Sequence, residues 1–128
     1  MSVLTGRRIL VVEDSPVVAP FTVNVLEDLG CVALGPAPNM ATARELIENE
    51  NFDAAIMDVH IRGERVFGLC EMLEKRGIPF LLTSGYADWQ VPSDWLDRPQ
   101  LQKPYTFDQL RDALQRTLTP SQPEAIAS

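Results

Sequence analysis

Apolar runs alternate with helical patterns along the whole chain. Arg8–Glu13 (RILVVE) is apolar and β-branched at nearly every interior position, as in a strand buried on both faces of a parallel sheet. Ser15-Pro16 follows, with Pro at a suitable first helical position. Val17, Val18, Phe21, Val25, Leu26 and Leu29 then fall on one face of a helix that stops at Gly30. Pro20 lacks a backbone donor and predicts a late start or a kink. Cys31–Leu34 reads as a second strand ended by Gly35-Pro36. Asn39 caps a helix carrying Ala41, Ala43, Leu46 and Ile47. Asp53–Val59 is a third strand, followed by a loop through Gly63 and a helix over Val66–Arg76 that ends at Gly77. Pro79–Thr83 is a fourth strand. The pattern weakens between Gly85 and Pro99, where Asp88, Trp89, Trp95 and Leu96 allow one short helix. Leu101-Gln102 is a short fifth strand, and Thr106 caps a last helix, Phe107–Leu118, with Phe107, Leu110, Leu114 and Leu118 on its core face.

Five strands alternating with helices predict a doubly wound α/β fold: a five-stranded parallel sheet with right-handed crossovers and helices on both faces. Residues 1–119 form the domain and 120–128 a short flexible tail; the initial Met and the polar, Pro-containing tail are those expected of a natural chain. The 128 residues carry 18 acidic against 11 basic side chains, a net charge of −7. That balance offers no basic stripe for a phosphate backbone and argues against direct nucleic-acid binding. The first apolar run is short and broken by Glu13 and Asp14, so it is no secretory signal. No stretch approaches the roughly 20 apolar residues of a membrane span. The expected location is cytoplasmic. Cys31 and Cys70 stand far apart without metal-binding spacing and read as inert buried thiols.

In such sheets ligands bind outside the carboxyl ends of the strands. Those ends carry Glu13-Asp14, Asp58, Thr83-Ser84 and Lys103-Pro104. Three converging carboxylates with one ammonium leave about two negative charges unbalanced, which a hard divalent cation bound through oxygen, Mg²⁺ above all, would offset. A carboxylate beside Mg²⁺, a hydroxyl and an ammonium is equipped to accept a phosphoryl group as an aspartyl phosphate. Taken singly, these residues have plainer readings. Glu13-Asp14 could cap a helix, Asp58 and Lys103 could form a structural ion pair, and His60 could point to solvent at the pocket rim.

The set Glu13-Asp14, Asp58, Thr83 and Lys103-Pro104, in this order and spacing, resembles the receiver domain of bacterial two-component response regulators (CheY-like) over roughly Arg8 to Leu118. The resemblance implies a flavodoxin-like sheet of strand order 2-1-3-4-5. It implies a phosphoacceptor at Asp58, charged by a sensor histidine kinase or a histidine phosphotransfer protein. Mg²⁺ would be held by Asp14, Asp58 and the backbone carbonyl of His60, and by Glu13 through water. Thr83, Ser84 and Lys103 would contact the phosphoryl group, and the bond before Pro104 would be cis. The run Thr83-Ser84-Gly85-Tyr86, with the Lys-Pro-aromatic end, is similar to single-domain alphaproteobacterial regulators with a Phe-Ala-Thr-Gly-x-Tyr signature, although Leu81, Leu82 and Ser84 depart from it. Such a protein is a switch rather than an enzyme, a monomer or weak dimer that signals to a downstream protein.

Ordinary receivers carry an aromatic residue three positions before the Lys; here that position is Gln100. Tyr86 or the weakly patterned 85–99 segment is then expected to carry the readout. Other classes fit less well. Phosphatases of the Asp-nucleophile type place a second Asp where His60 stands, and a flavin carrier would not set Glu13-Asp14 against a phosphate. A pseudo-receiver that binds partners without phosphorylation is the remaining alternative, kept alive by Gln100.

Overall fold

The computed structural model describes residues 3–85 and 91–119. The elements run β1 (Arg8–Val12), α1 (Val18–Asp28), β2 (Val32–Ala37), α2 (Met40–Asn49), β3 (Ala54–Asp58), β4 (His60–Ile61), β5 (Glu64–Arg65), α3 (Phe67–Lys75), β6 (Phe80–Ser84), β7 (Gln100–Gln102) and α4 (Phe107–Leu118). Five of the strands form one parallel sheet in the order β2-β1-β3-β6-β7. This is the doubly wound CheY-like fold that the hydrophobic pattern and the resemblance predict. The additional pair, β4 and β5, is a small antiparallel hairpin inside the loop through Gly63.

Alternation along the strands splits the core in two. Leu10, Val12, Ala55, Met57, Phe80 and Leu82 pack with α2 and α3, while Ile9, Val11, Ala54, Ile56 and Leu81 pack with α1 and α4. The helix ends follow local chemistry. Gly30 (φ 85°) and Gly77 (φ 69°) close α1 and α3, with Cys31 N–H returning to Leu26 O and Ile78 N–H to Leu73 O. Asn39 accepts from Thr42 N–H, and Thr106 forms a reciprocal capping box with Gln109.

Helix α1 starts late, as Pro20 predicts: it begins at Val18 rather than Pro16, and Ser15 Oγ accepts from the amides of Val17 and Val18, leaving Pro16 and Val17 in a turn. Pro20 thus lies in the first turn, where its missing donor has no intrahelical partner to lose. Val17 and Phe21 are exposed rather than packed beneath the helix, whose buried residues are Ala19, Thr22, Val25 and Leu26. Between Gly85 and Pro99 the described residues form one 3₁₀ turn, Ser93–Trp95, with Trp95 buried edge-on against Phe80; Asp88 and Trp89 lie outside the described residues.

Strand β2 does not stop at Gly35-Pro36 but runs through it to Ala37. Leu10 pairs with Leu34, yet Val12 pairs with Ala37, so β2 carries one extra residue. Gly35 sits at this bulge with φ 102°, and a Cβ there would come within 2.8 Å of Ala37 N and 2.9 Å of Val11 O. Beyond the bulge Ala37 O accepts the Glu13 amide at 3.1 Å, which holds the end of β1 against the neighbouring strand.

Candidate functional site

The carboxyl ends of β1, β3, β6 and β7 meet on one edge of the sheet. Glu13 and Asp14 follow β1, Asp58 ends β3, Thr83 and Ser84 end β6, and Lys103 follows β7. The register carries Asp58 beside Thr83 and Ser84 beside Gln102, and Lys103 N–H donates to Ser84 O at 2.7 Å.

Lys103 Nζ donates to Asp58 Oδ2 at 2.6 Å and to Glu13 Oε2 at 3.1 Å. Both carboxylates are buried, and the Lys103 side chain is only 15% exposed. Burial, followed by the neighbouring charge of Asp58, pushes the Glu13 carboxyl above its usual range, against the lowering effect of Lys103. For Lys103, burial pulls the ammonium down, but its hydrogen bond to Asp58 and the charge of Glu13 outweigh that, and the net direction is up.

One carboxylate oxygen from each of Glu13, Asp14 and Asp58 lies within 4.8 Å of the other two. This oxygen-only cluster, two charges in excess of its one ammonium, fits a hard divalent cation such as Mg²⁺ and offers no soft donor for zinc or copper. Each carboxylate is also held by a backbone amide. Ser15 N–H donates to Glu13 at 3.0 Å, His60 N–H to Asp58 at 3.2 Å and Arg62 N–H to Asp14 at 2.8 Å. Beside them the Thr83 hydroxyl is buried with no hydrogen-bond partner among the described residues.

The structure places the other sequence candidates as follows. Ser84 is buried next to Thr83, and His60 is half-buried. The Lys103–Pro104 bond is cis. Gln100 is exposed, its side chain donating to Leu96 O at 3.3 Å, remote in character from a packed aromatic switch. Tyr86 lies outside the described residues. Sequence reasoning counted Tyr105 only as the aromatic after Lys103-Pro104 and missed the 2.6 Å hydrogen bond that its buried hydroxyl shares with Thr22. It also missed Arg62, for which a Gly-containing turn after a strand was the only signal.

The family model for the response regulator receiver domain matches residues 9–115. Among solved structures, the solution structure of SdrG from Sphingomonas melonis Fr1 is 42% identical, with a TM-score of 0.79 over 89% of this chain and 96% of that one. The BeF3-activated conformation of SdrG from Pseudomonas melonis Fr1 is 37% identical, with a TM-score of 0.76 over 92% and 98%. The receiver domain of the sensor histidine kinase PA1611 from Pseudomonas aeruginosa PAO1, with a magnesium ion coordinated in its active site cleft, shares the fold at 20% identity, with a TM-score of 0.72 over 91% and 100%. No curated protein matches the chain.

Proposed function

This chain belongs to the response regulator receiver domain family, and on that footing we propose that it is a phosphorylation switch whose acceptor is Asp58. The observation that carries the reading is the Glu13–Lys103–Asp58 cluster beside the buried Thr83 hydroxyl, which has no hydrogen-bond partner among the described residues. An oxygen of Asp58 forms the new O–P bond as the N–P bond of a phosphohistidine breaks and the imidazole departs with the electron pair. Lys103 touches the acceptor and Thr83 stands beside it in the strand register, an ammonium and a hydroxyl suited to the oxygens of the incoming group.

Glu13, Asp14 and Asp58, together with the carbonyl of His60, would hold Mg²⁺. The ion would neutralise the phosphoryl oxygens and the excess charge of the cluster. The phosphodonor is a sensor histidine kinase or a phosphotransfer protein. Output passes by contact to another protein, with Tyr86 in the role that Gln100 does not fill. The likeness to SdrG at 42% identity, over 96% of that solved chain, supports the receiver reading. Among the described residues no helix is long and apolar enough to cross a membrane, and the expected site of action is the cytoplasm.

The test is intact mass after incubation with a small phosphodonor and Mg²⁺. One labile phosphoryl group is expected, and none in Asp58→Asn or with EDTA. Phosphorylation retained in Asp58→Asn would move the acceptor elsewhere.

A further inference from the structure

Two of the three carboxylates in the cluster are pinned from close by in the chain: Ser15 N–H reaches Glu13 and His60 N–H reaches Asp58, each two residues away. The third differs. Asp14 receives its hydrogen bond from Arg62 N–H, 48 residues distant, at the tip of the β4–β5 hairpin. Among the described residues Asp14 forms no ion pair, so this amide is what fixes its direction.

The hairpin turn is built on Arg62-Gly63, with φ of 52° and 82°. Two-residue turns with both φ positive favour Asn-Gly, because a long side chain gains nothing from the left-handed conformation. At Arg62 the side chain supplies a reason. Its Nε donates to Pro38 O at 3.2 Å, tying the hairpin tip to the loop between β2 and α2. The guanidinium is not paired with a carboxylate of the cluster; it serves as an anchor. Anchored there, the tip presents its amide to Asp14 while the ligating oxygens of the three carboxylates converge within 4.8 Å.

We propose that Arg62 is a positioning residue of the cation site: by tying the β4–β5 hairpin to Pro38 it aims its own amide at Asp14 and holds that carboxylate ready for the metal. This rests on the Mg²⁺-binding reading above and assigns it a support outside the ligands. Hydrogen-bond partners of ligating carboxylates change metal affinity by about 10–100-fold when removed. The effect here has a distinctive sign, because deleting a cation near an acidic cluster would by charge alone tighten Mg²⁺ binding.

The experiment is a calorimetric Mg²⁺ titration of the full chain at fixed ionic strength, with Arg62→Gly and Arg62→Gln. Glycine accepts φ 52° and keeps the amide but loses the anchor; glutamine keeps a donor and loses the charge. Arg62→Gly is expected to bind Mg²⁺ about tenfold more weakly, with thermal stability in EDTA within a few degrees of wild type. Arg62→Gln is expected to stay within about threefold of wild type, its side-chain donor replacing the anchor. The Asp14 amide resonance should also move in Arg62→Gly before any metal is added. Unchanged or tighter binding by Arg62→Gly overturns the proposal. Absence of Mg²⁺ binding in the wild type overturns instead the cation reading on which it rests.

Discussion

Replacing Lys103 by Met isolates what the buried ammonium does for the fold. The substitution keeps an unbranched side chain of similar length but leaves Glu13 and Asp58, both buried, facing each other without a cation. At an effective dielectric of about 20, the contacts at 2.6 and 3.1 Å correspond to roughly 5–6 kcal/mol each before desolvation is counted. Burying the ammonium offsets much of that, and removing one partner of a buried pair costs about 3–5 kcal/mol net. The lower end applies here because the Lys103 side chain keeps 15% of its exposure and water can relax toward the gap. With an unfolding entropy of about 2.1 cal/mol/K per residue over 128 residues, 3 kcal/mol lowers the melting temperature by roughly 11 °C.

The assay is thermal unfolding by circular dichroism in EDTA. If the loss comes from uncompensated charge, adding Glu13→Gln to Lys103→Met should restore at least about 1 kcal/mol, a coupling typical of residues in contact. Mg²⁺ should stabilise Lys103→Met more than wild type, since it enters a cluster one charge more negative. A shift below about 3 °C in EDTA, under 1 kcal/mol on the same scale, would refute the reasoning. So would a double variant no more stable than Lys103→Met alone.

Other perturbations test separate parts of the structure. Gly35→Ala should destabilise by about 2–4 kcal/mol in denaturant titration, combining left-handed strain with a Cβ forced against two backbone atoms. Tyr105→Phe should cost about 0.5–1.5 kcal/mol, the net worth of the lost hydrogen bond, because the Thr22 hydroxyl still donates to Val18 O at 2.9 Å. Thr22→Val with Tyr105→Phe should cost less than the two single changes together, because both polar groups are then gone. Burial pushes the Cys70 thiol from an ordinary value of 9.0 up to about 12, so the native protein should leave it unmodified by a disulfide reagent at pH 8. The folded state holds that proton more tightly than the unfolded chain; its contribution to stability is therefore complete below pH 9 and lost as pH rises toward 12. Cys70→Ala should show a shallower fall in stability over that window.

The parallel sheet and the acidic edge are legible in the sequence for one reason. Strands buried on both faces read as continuous apolar runs, and the polar residue that ends each run marks the edge where ligands bind. Glu13, Asp58, Thr83 and Lys103 are found this way, without knowledge of any distance. What escapes is whatever depends on contacts between loops. The hairpin has only two residues per strand, too short for any periodicity, and the Asp14–Arg62 bond spans 48 positions. Val17 and Phe21 match the helical spacing yet stay exposed, because periodicity records which residues share a face and not how much of that face the neighbouring elements cover.

Strand β2 shows how a local exception serves the site. Gly35-Pro36 reads as punctuation, and most such pairs end a strand. Here the extra residue is absorbed as a bulge, with Gly35 taking the φ that a side chain would forbid. Ala37 then falls where its carbonyl accepts the Glu13 amide, and Pro38 follows where its carbonyl receives Arg62. Two of the three carboxylates are thus tied to the same two-residue stretch: Glu13 through its own backbone, Asp14 through the hairpin. Shortening β2 by one residue should displace both ties, pulling the acidic cluster out of convergence although every carboxylate remained in the sequence. The site is written in its polar residues, but its geometry is written in the bulge that precedes them.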